Sequence, residues 1–582
     1  MKCEGSDMNS STGPVTEASS TITEEIDVAS TESIIALLQK CDAEIFNGYQ
    51  EYKPLLHDDI LQTIENIAGH IQDILEQPEN GLVVFSGCGT SGRLGFIVTR
   101  TFNELQAFKQ QPEVFRYLLA GGDKALFTSQ EAPEDDPQEG IEALKKVSTG
   151  KTKVVFVGIT CGLSAPYVAG QLDYCLDHPE VFIPVLLGFN PTSLARNIKI
   201  DKWDKTFMQV VDRLQKAVDS GTTAYVLNPI VGPEPITGSS RMKGGTATKI
   251  LIETVCFKAL YDSSHRNATL PSKSFIDCYN VLCEAVYKQS AGLAKIVDMA
   301  GKGLNSGGSI YYLGTDSLAL MGLIDASECP PTYGATLDDV RGFVEAGYAT
   351  LKNADGDLSH FGRHFRISLD NFEDLLLTAR DVVIVINAGD EETVLSHIRG
   401  KQCTKVLIAF DEAKSKQAIF DHVVHIDTPK DAMEELIGQE SLEVANRMFR
   451  EIAVKWCLNA ITTGAHILKG KVYRNIMIDV KVSNNKLFHR AVGILEKLGH
   501  LPRDTATEYL LRSIYNTDNL VGDIMEKTIA QHVAMATPKD KVVPVALVAA
   551  VTKCTISEAK TTLSRQPVIR TAIVNALQNV GK

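Results

Sequence analysis

Three features of the sequence predict an α/β protein with two tandem parallel-sheet units, helices on both faces of each sheet, and an α-helical C-terminal cap. Short β-branched runs alternate with helical patterns through most of the chain, the spacing of these runs repeats, and the runs stop near residue 472. Near-continuous apolar strands separated by helices imply parallel sheets covered on both faces.

In the first half the strand-like runs are 82–85, 114–120, 154–159, 182–188 and 224–227. In the second half they are 309–313, 382–386, 406–410 and 423–426. Leu82 and Val154 are 72 residues apart, and Ser309 and Val382 are 73 apart. At an offset of about 227, GLVVFSGCGTSGRLGFIV lines up with GSIYYLGTDSLALMGLID. Self-similarity at a fixed offset predicts two homologous units, here 77–268 and 285–471. A helical segment, 31–76, precedes them. Residues 472–582 form the cap, in which 541–552, with its proline and small apolar residues, reads as a buried helix. Residues 1–30 contain ten Ser or Thr and one basic residue, Lys2, with no apolar block. That is neither a secretory nor a mitochondrial leader, and it reads as a disordered tail.

Composition narrows the function. Among 582 residues, 58 Lys and Arg against 72 Asp and Glu give a net charge of −14. That balance argues against a general nucleic-acid binder, which needs excess cations to displace counterions. No uncharged apolar stretch reaches the about 20 residues of a membrane span. Twelve cysteines are spread along the chain without a C-x-x-C pair, and thirteen histidines form no ligand pattern. His422 and His425 flank a strand-like Val-Val. A reduced intracellular protein without metal or cofactor is expected, in the cytoplasm or, as the alternative, the nucleus.

The chemistry sits in loops that follow strands of the first unit. Ser86-Gly-Cys-Gly-Thr-Ser-Gly-Arg93 leaves an apolar strand and opens a helix. Gly89 allows close backbone approach, Thr90 and Ser91 offer hydroxyls, and the helix start offers free N–H groups and a positive dipole end. This suits a phosphate monoester. It also reads as an ordinary Gly/Ser turn, and no G-K-[ST] makes it a Walker loop. Gly87, Gly89 and Gly92 match dinucleotide spacing, but the first acid beyond the next strand is Asp123, well past the expected about 20 residues. Thr160, Cys161, Gly162 and Ser164 form a second polar loop after a strand. Strand ends of this kind face one crevice in an open parallel sheet. Ser239, Ser240, Arg241 and Lys243 form a third polar cluster, which reads as a further lining of the same crevice or as an ordinary helix cap with solvated cations. The second unit has Gly314-Thr-Asp-Ser-Leu at the first position and an acidic run, 387–392, at the second. Those acids would repel a phosphate, so a single phosphate site is expected.

GCGTSGRLG, GPEPITGSSRMKGGTATK and DASECPPTYG resemble the sugar isomerase domains of N-acetylmuramic acid 6-phosphate etherases. With the tandem arrangement and the helical cap, the chain resembles the glucokinase regulatory protein family from about Glu25 to Leu577. The resemblance implies binding of fructose 6-phosphate or fructose 1-phosphate at one composite site, and inhibition of a glucokinase or other hexokinase. Carried over by motif, Thr90 and Ser91 hold the phosphate, Glu134 faces the sugar, and Thr160, Cys161 and Gly162 form the second loop. Glu328 reaches in from the second unit and Lys486 from the cap. The etherases use carboxylates at the positions of Glu134 and Glu328 as acid and base. Both survive here, so an etherase-like lyase releasing D-lactate is the alternative, and the residues alone leave the choice between binding protein and enzyme open. Thr101 stands where a second such acid would be. The aromatic docking run of the regulatory proteins is replaced by DTPKDAMEELIGQESLEVANRMF, read as one acidic amphipathic helix.

Overall fold

The computed structural model describes residues 13–130, 132–201, 203–265, 267–387, 391–410, 419–566 and 568–579. The first sheet contains β1 (Gly81–Gly87), β2 (Phe115–Leu119), β3 (Lys153–Ile159), β4 (Phe182–Leu187) and β5 (Tyr225–Leu227). The second contains β6 (Ile310–Gly314), β7 (Val340–Val344), β8 (Val382–Asn387), β9 (Thr404–Phe410) and β10 (His422–Ile426). Both are parallel, in the orders β2-β1-β3-β4-β5 and β7-β6-β8-β9-β10. The repeat seen in the sequence is therefore a repeat of topology. Leu82 lies opposite Val154, and Ile310 lies opposite Val382. The duplication extends to packing: a Cβ on Gly95 would come within 3.1 Å of Phe85, and one on Gly322 within 2.7 Å of Tyr312, both pairs related by the same offset.

β1 is buried along its whole length, as a central strand with both faces covered must be. β7 was not foreseen. It is an edge strand that carries Arg341 and Gly342 in place of an apolar run. The helices Lys243–Ser264 and Gln439–Leu468 pack together between the two sheets. They are buried around most of their circumference, the mark of a core helix. The segment read as one acidic amphipathic helix is two, Lys430–Ile437 and the start of Gln439–Leu468, broken at Gly438 with φ 71°.

The C-terminal region starts with a two-stranded hairpin, Val472–Tyr473 and Ile476–Met477, and is helical from Asn485 to Asn579. Val542–Thr552 is its central helix, with residues 542–550 buried. Among the described residues no single helix is long and apolar enough to cross a membrane.

The expectation of a disordered tail fails for residues 13–30; residues 1–12 lie outside the described residues. Val15, Thr16, Ser20, Thr23 and Ile26 are buried. The segment is held by hydrogen bonds more than by apolar contact. Thr16 N donates to Asn190 Oδ1 at 3.0 Å, and Thr23 Oγ1 donates to the Pro235 carbonyl at 2.7 Å. Asn475 Nδ2, in the cap hairpin, donates to the Ser20 carbonyl at 2.7 Å and to Thr23 Oγ1 at 3.1 Å. Thr237 N donates to the Asn475 carbonyl at 2.8 Å. One asparagine thus joins the N-terminal segment to the cap, and its carbonyl joins both to the first unit.

Asn475→Ala leaves two buried acceptors of the N-terminal segment, the Ser20 carbonyl and Thr23 Oγ1, without this donor, each costing about 1–3 kcal/mol. Urea denaturation is expected to show a loss of about 2 kcal/mol or more. A loss under about 0.5 kcal/mol, the range of ordinary surface changes, would contradict this role.

Candidate functional site

The order of the first sheet reverses between β1 and β3, so their carboxyl ends flank one crevice. Cys88–Ser91 follows β1 and opens the helix Gly89–Phe108. Gly89 has φ +50°, in the left-handed region that an L side chain enters at a cost. The loop after β3 is stapled by its own hydroxyl, since Thr160 Oγ1 accepts from Ser164 N at 3.2 Å and Ala165 N at 3.4 Å. Asn190 Nδ2 donates to the Gly162 carbonyl at 2.9 Å. The two loops meet where Ser91 Oγ lies 3.8 Å from Cys161 Sγ. Burial pushes the Cys161 thiol up to about 11, so it is neutral and its backbone is what it offers.

A cleft of about 120 Å³ opens at this point. Gly89, Thr90, Ser91, Glu134, Thr160, Cys161, Gly162, Ser164, Glu328 and Lys486 all line it. Glu134 sits on a short turn, Ala132–Asp135. Lys486 Nζ donates to Glu134 Oε1 at 2.6 Å, and Asn484 Nδ2 donates to Glu134 Oε2 at 3.3 Å. Beside them Asn485 N donates to Asp135 Oδ2 at 2.9 Å, and burial pushes the Asp135 carboxyl up to about 6. These contacts clasp the start of the cap helix Asn485–Gly499 to the first unit.

Glu328 comes from the helix Ser317–Tyr333 of the second unit and is 3% exposed. Thr90 Oγ1 donates to Glu328 Oε1. Arg93 Nη1 lies 3.9 Å from Oε1, and Arg241 Nη1 lies 4.0 Å from Oε2. Burial raises the Glu328 carboxyl above its ordinary range, opposed by Arg93, Arg241 and Lys455. The acid therefore faces a cationic floor while remaining poorly hydrated.

Of the third polar cluster, Ser239, Ser240 and Arg241 line the cleft. Lys243 does not. Its side chain is fully buried and pairs with Glu44, and its N–H is capped by Glu234 at 2.8 Å. Arg93, Thr16, Glu17 and Arg490 also border the cleft and were not anticipated. Arg93 lies one turn into the helix Gly89–Phe108, at the end of the loop motif. The N-terminal pair was hidden by the reading of a disordered tail. Asp123, the acid weighed for a dinucleotide, accepts from Tyr117 Oη at 2.7 Å and from Asn353 Nδ2 at 2.8 Å, away from this cleft. His422 Nε2 is 3.1 Å from the Gly292 carbonyl, and among the described residues no three His, Cys, Asp or Glu are grouped to hold a metal. In the second unit, 388–390 of the acidic run lie outside the described residues.

The arrangement presents hydroxyls and a helix start for an anion, two carboxylates for hydroxyl groups, and cations from the first unit and the cap. Comparison with known proteins shows the family of the chain. Residues 66–176 match the N-terminal SIS domain of glucokinase regulatory protein, 287–469 its second SIS domain, and 474–573 its C-terminal lid domain. The chain is 38% identical to the glucokinase regulatory protein of Xenopus laevis, over 98% of this chain and 94% of that protein. It is 36% identical to that of Homo sapiens, over 98% and 93%. An N-acetylmuramic acid 6-phosphate etherase of Clostridium acetobutylicum is 34% identical over 42% of this chain and 78% of its own. On these matches, which span both sheet units and the cap, the chain belongs to the glucokinase regulatory protein family.

Proposed function

We propose that this chain is a hexose-phosphate-responsive regulatory protein that inhibits a glucokinase, with fructose 6-phosphate or fructose 1-phosphate as its ligand. Full-length similarity to glucokinase regulatory proteins supports the regulatory role. The observation that carries the ligand is the convergence of Ser91, Glu134, Glu328 and Lys486 on one cleft from first unit, second unit and cap. In this reading the phosphate lies on the Gly89–Ser91 helix start, and the sugar hydroxyls meet Glu134 and Glu328. Because the ligand touches all three regions, binding it changes how firmly they are held together. That is the coupling a regulator needs.

A second reading, an etherase-like lyase, draws support from the two carboxylates facing one cleft. Both are engaged by cations or hydroxyls from other elements, which suits fixed hydrogen-bonding roles. One experiment separates the readings. The purified protein is assayed for inhibition of glucokinase with and without fructose 6-phosphate, beside release of D-lactate from N-acetylmuramic acid 6-phosphate. Inhibition that depends on the sugar phosphate, without lactate, is expected. Lactate release without inhibition would overturn the proposal.

Ser91→Asp places a carboxylate at the phosphate position, where like charges repel strongly in a partly desolvated site. It is expected to abolish fructose 6-phosphate binding in isothermal titration, with the circular dichroism spectrum unchanged. Wild-type affinity in folded Ser91→Asp would contradict the phosphate assignment.

Glu328→Gln keeps the shape but removes the charge. A hydrogen bond to a charged group contributes about 1.5–3 kcal/mol, so the dissociation constant is expected to rise roughly ten- to a hundredfold. Thermal stability falls as well, because Arg93 and Arg241 lose their shared acid. An unchanged affinity would confine the site to the first unit.

A further inference from the structure

The start of the helix Lys243–Ser264, with the turn before it, aligns with the middle of the helix Gln439–Leu468. Arg241-Met242 and Arg447-Met448 align at an offset of 206, as do Ala247 with Ala453 and Lys249 with Lys455. At the same offset Gly245 stands opposite Glu451, and at the offset of the sheets Gly89 stands opposite Asp316 and Thr90 opposite Ser317.

These replacements fall where a phosphate would rest. In the first unit, a Cβ on Gly245 would come within 3.1 Å of Thr90 Cγ2, so the glycine keeps the space beside the phosphate loop open. In the second unit a glutamate grows from that point. Glu451 is fully buried, with Oε2 2.8 Å from Lys249 Nζ and Oε1 3.7 Å from Arg447 Nε. Arg447 Nε also donates to Ser317 Oγ at 3.2 Å. Burial opposes ionisation of Glu451, but Lys249 and Arg447 outweigh it and hold its carboxyl below the usual range. Asp316 takes the other half of an anion's contacts: its Oδ1 accepts the helix-start N–H of Leu318 at 2.9 Å. Arg100, 8% exposed in its side chain, has Nε and Nη1 buried without a hydrogen-bond partner among the described residues, and both Glu451 and Asp316 act on it electrostatically.

We propose that the crevice of the second unit is a phosphate-monoester site filled by the protein's own carboxylates, Glu451 on the cations and Asp316 on the helix start. Two carboxylates carry a charge close to that of a phosphate dianion, about −1.5 to −2 at neutral pH. The second crevice is thus permanently occupied, and only the first is free to answer to ligand. The inference rests on the phosphate reading of the first cleft, and the test separates the two.

The two residues are returned to those of the first unit, Asp316→Gly with Glu451→Gly, in a Ser91→Asp background. Inorganic phosphate is titrated into this variant and into Ser91→Asp alone, in chloride buffer, by calorimetry and thermal melting. The expected result is one more phosphate bound per chain than in the parent, with a melting temperature that is low without phosphate and rises saturably with it. No gain in stoichiometry in the folded variant overturns the proposal. Should that variant fail to fold, Ser91→Asp with Glu451→Gln keeps the shape. Its melting temperature is expected below that of Ser91→Asp in chloride, the deficit closing as phosphate is added. Equal melting temperatures at every phosphate concentration overturn it too. Full phosphate binding by Ser91→Asp alone counts against the first cleft instead, and the gain in stoichiometry still decides the second.

Discussion

Buried charge at the seam between the two sheet units is the constraint on which the rest of this molecule depends. Arg241 is 3% exposed, yet among the described residues its two Nη atoms find their side-chain partners only in the other unit: Asp325 at 3.2 Å, Thr462 Oγ1 at 2.9 Å and Thr463 Oγ1 at 3.2 Å. Lys455 returns the connection by donating to the Arg241 carbonyl at 2.5 Å. On the other side of the seam, Lys249 is paired with Glu253 and Glu451, and Glu104 with Arg447. An ion left unpaired in such an interior costs about 3–5 kcal/mol. Neither unit can therefore present its interface alone, and the seam holds the two in a single relative placement.

The functional cleft is a consequence of that placement. The first unit supplies the loops at the ends of β1 and β3, but its floor is finished by Glu328 from across the seam, and its entrance by Lys486 and Arg490 from the cap. The N-terminal segment closes the remaining side, where Arg490 Nη2 donates to Glu17 Oε1 at 2.6 Å. A site assembled from four parts of one chain is suited to sensing. A ligand that touched all four would change how they fit together.

Much of this was legible in the sequence because it rests on patterns that sequence carries directly. The central strands are uninterrupted apolar runs, and the duplicated offset shows in residues such as Gly95 and Gly322, where close packing admits no side chain. The cleft residues were found through loop chemistry and through family motifs. What was missed has a common physical origin. β7 is an edge strand without an apolar run. Residues 13–30 are fixed by hydrogen bonds to Asn190 and Pro235 and from Asn475, which composition cannot reveal in a Ser/Thr-rich segment. Lys243 was placed in the crevice because its neighbours are there, but helix geometry turns it toward Glu44. Burial and direction are decided in three dimensions, whereas apolar periodicity and Gly-rich turns are local.

The central claim is that one hexose phosphate binds per chain and is recognised through its phosphate. Equilibrium titration of the intact protein with fructose 6-phosphate, beside fructose, tests it most directly. One fructose 6-phosphate per chain, displaced by inorganic phosphate, is expected, with no detectable binding of fructose over the same range. Two equivalent sites per chain, or equal affinity for the sugar without its phosphate, would contradict it.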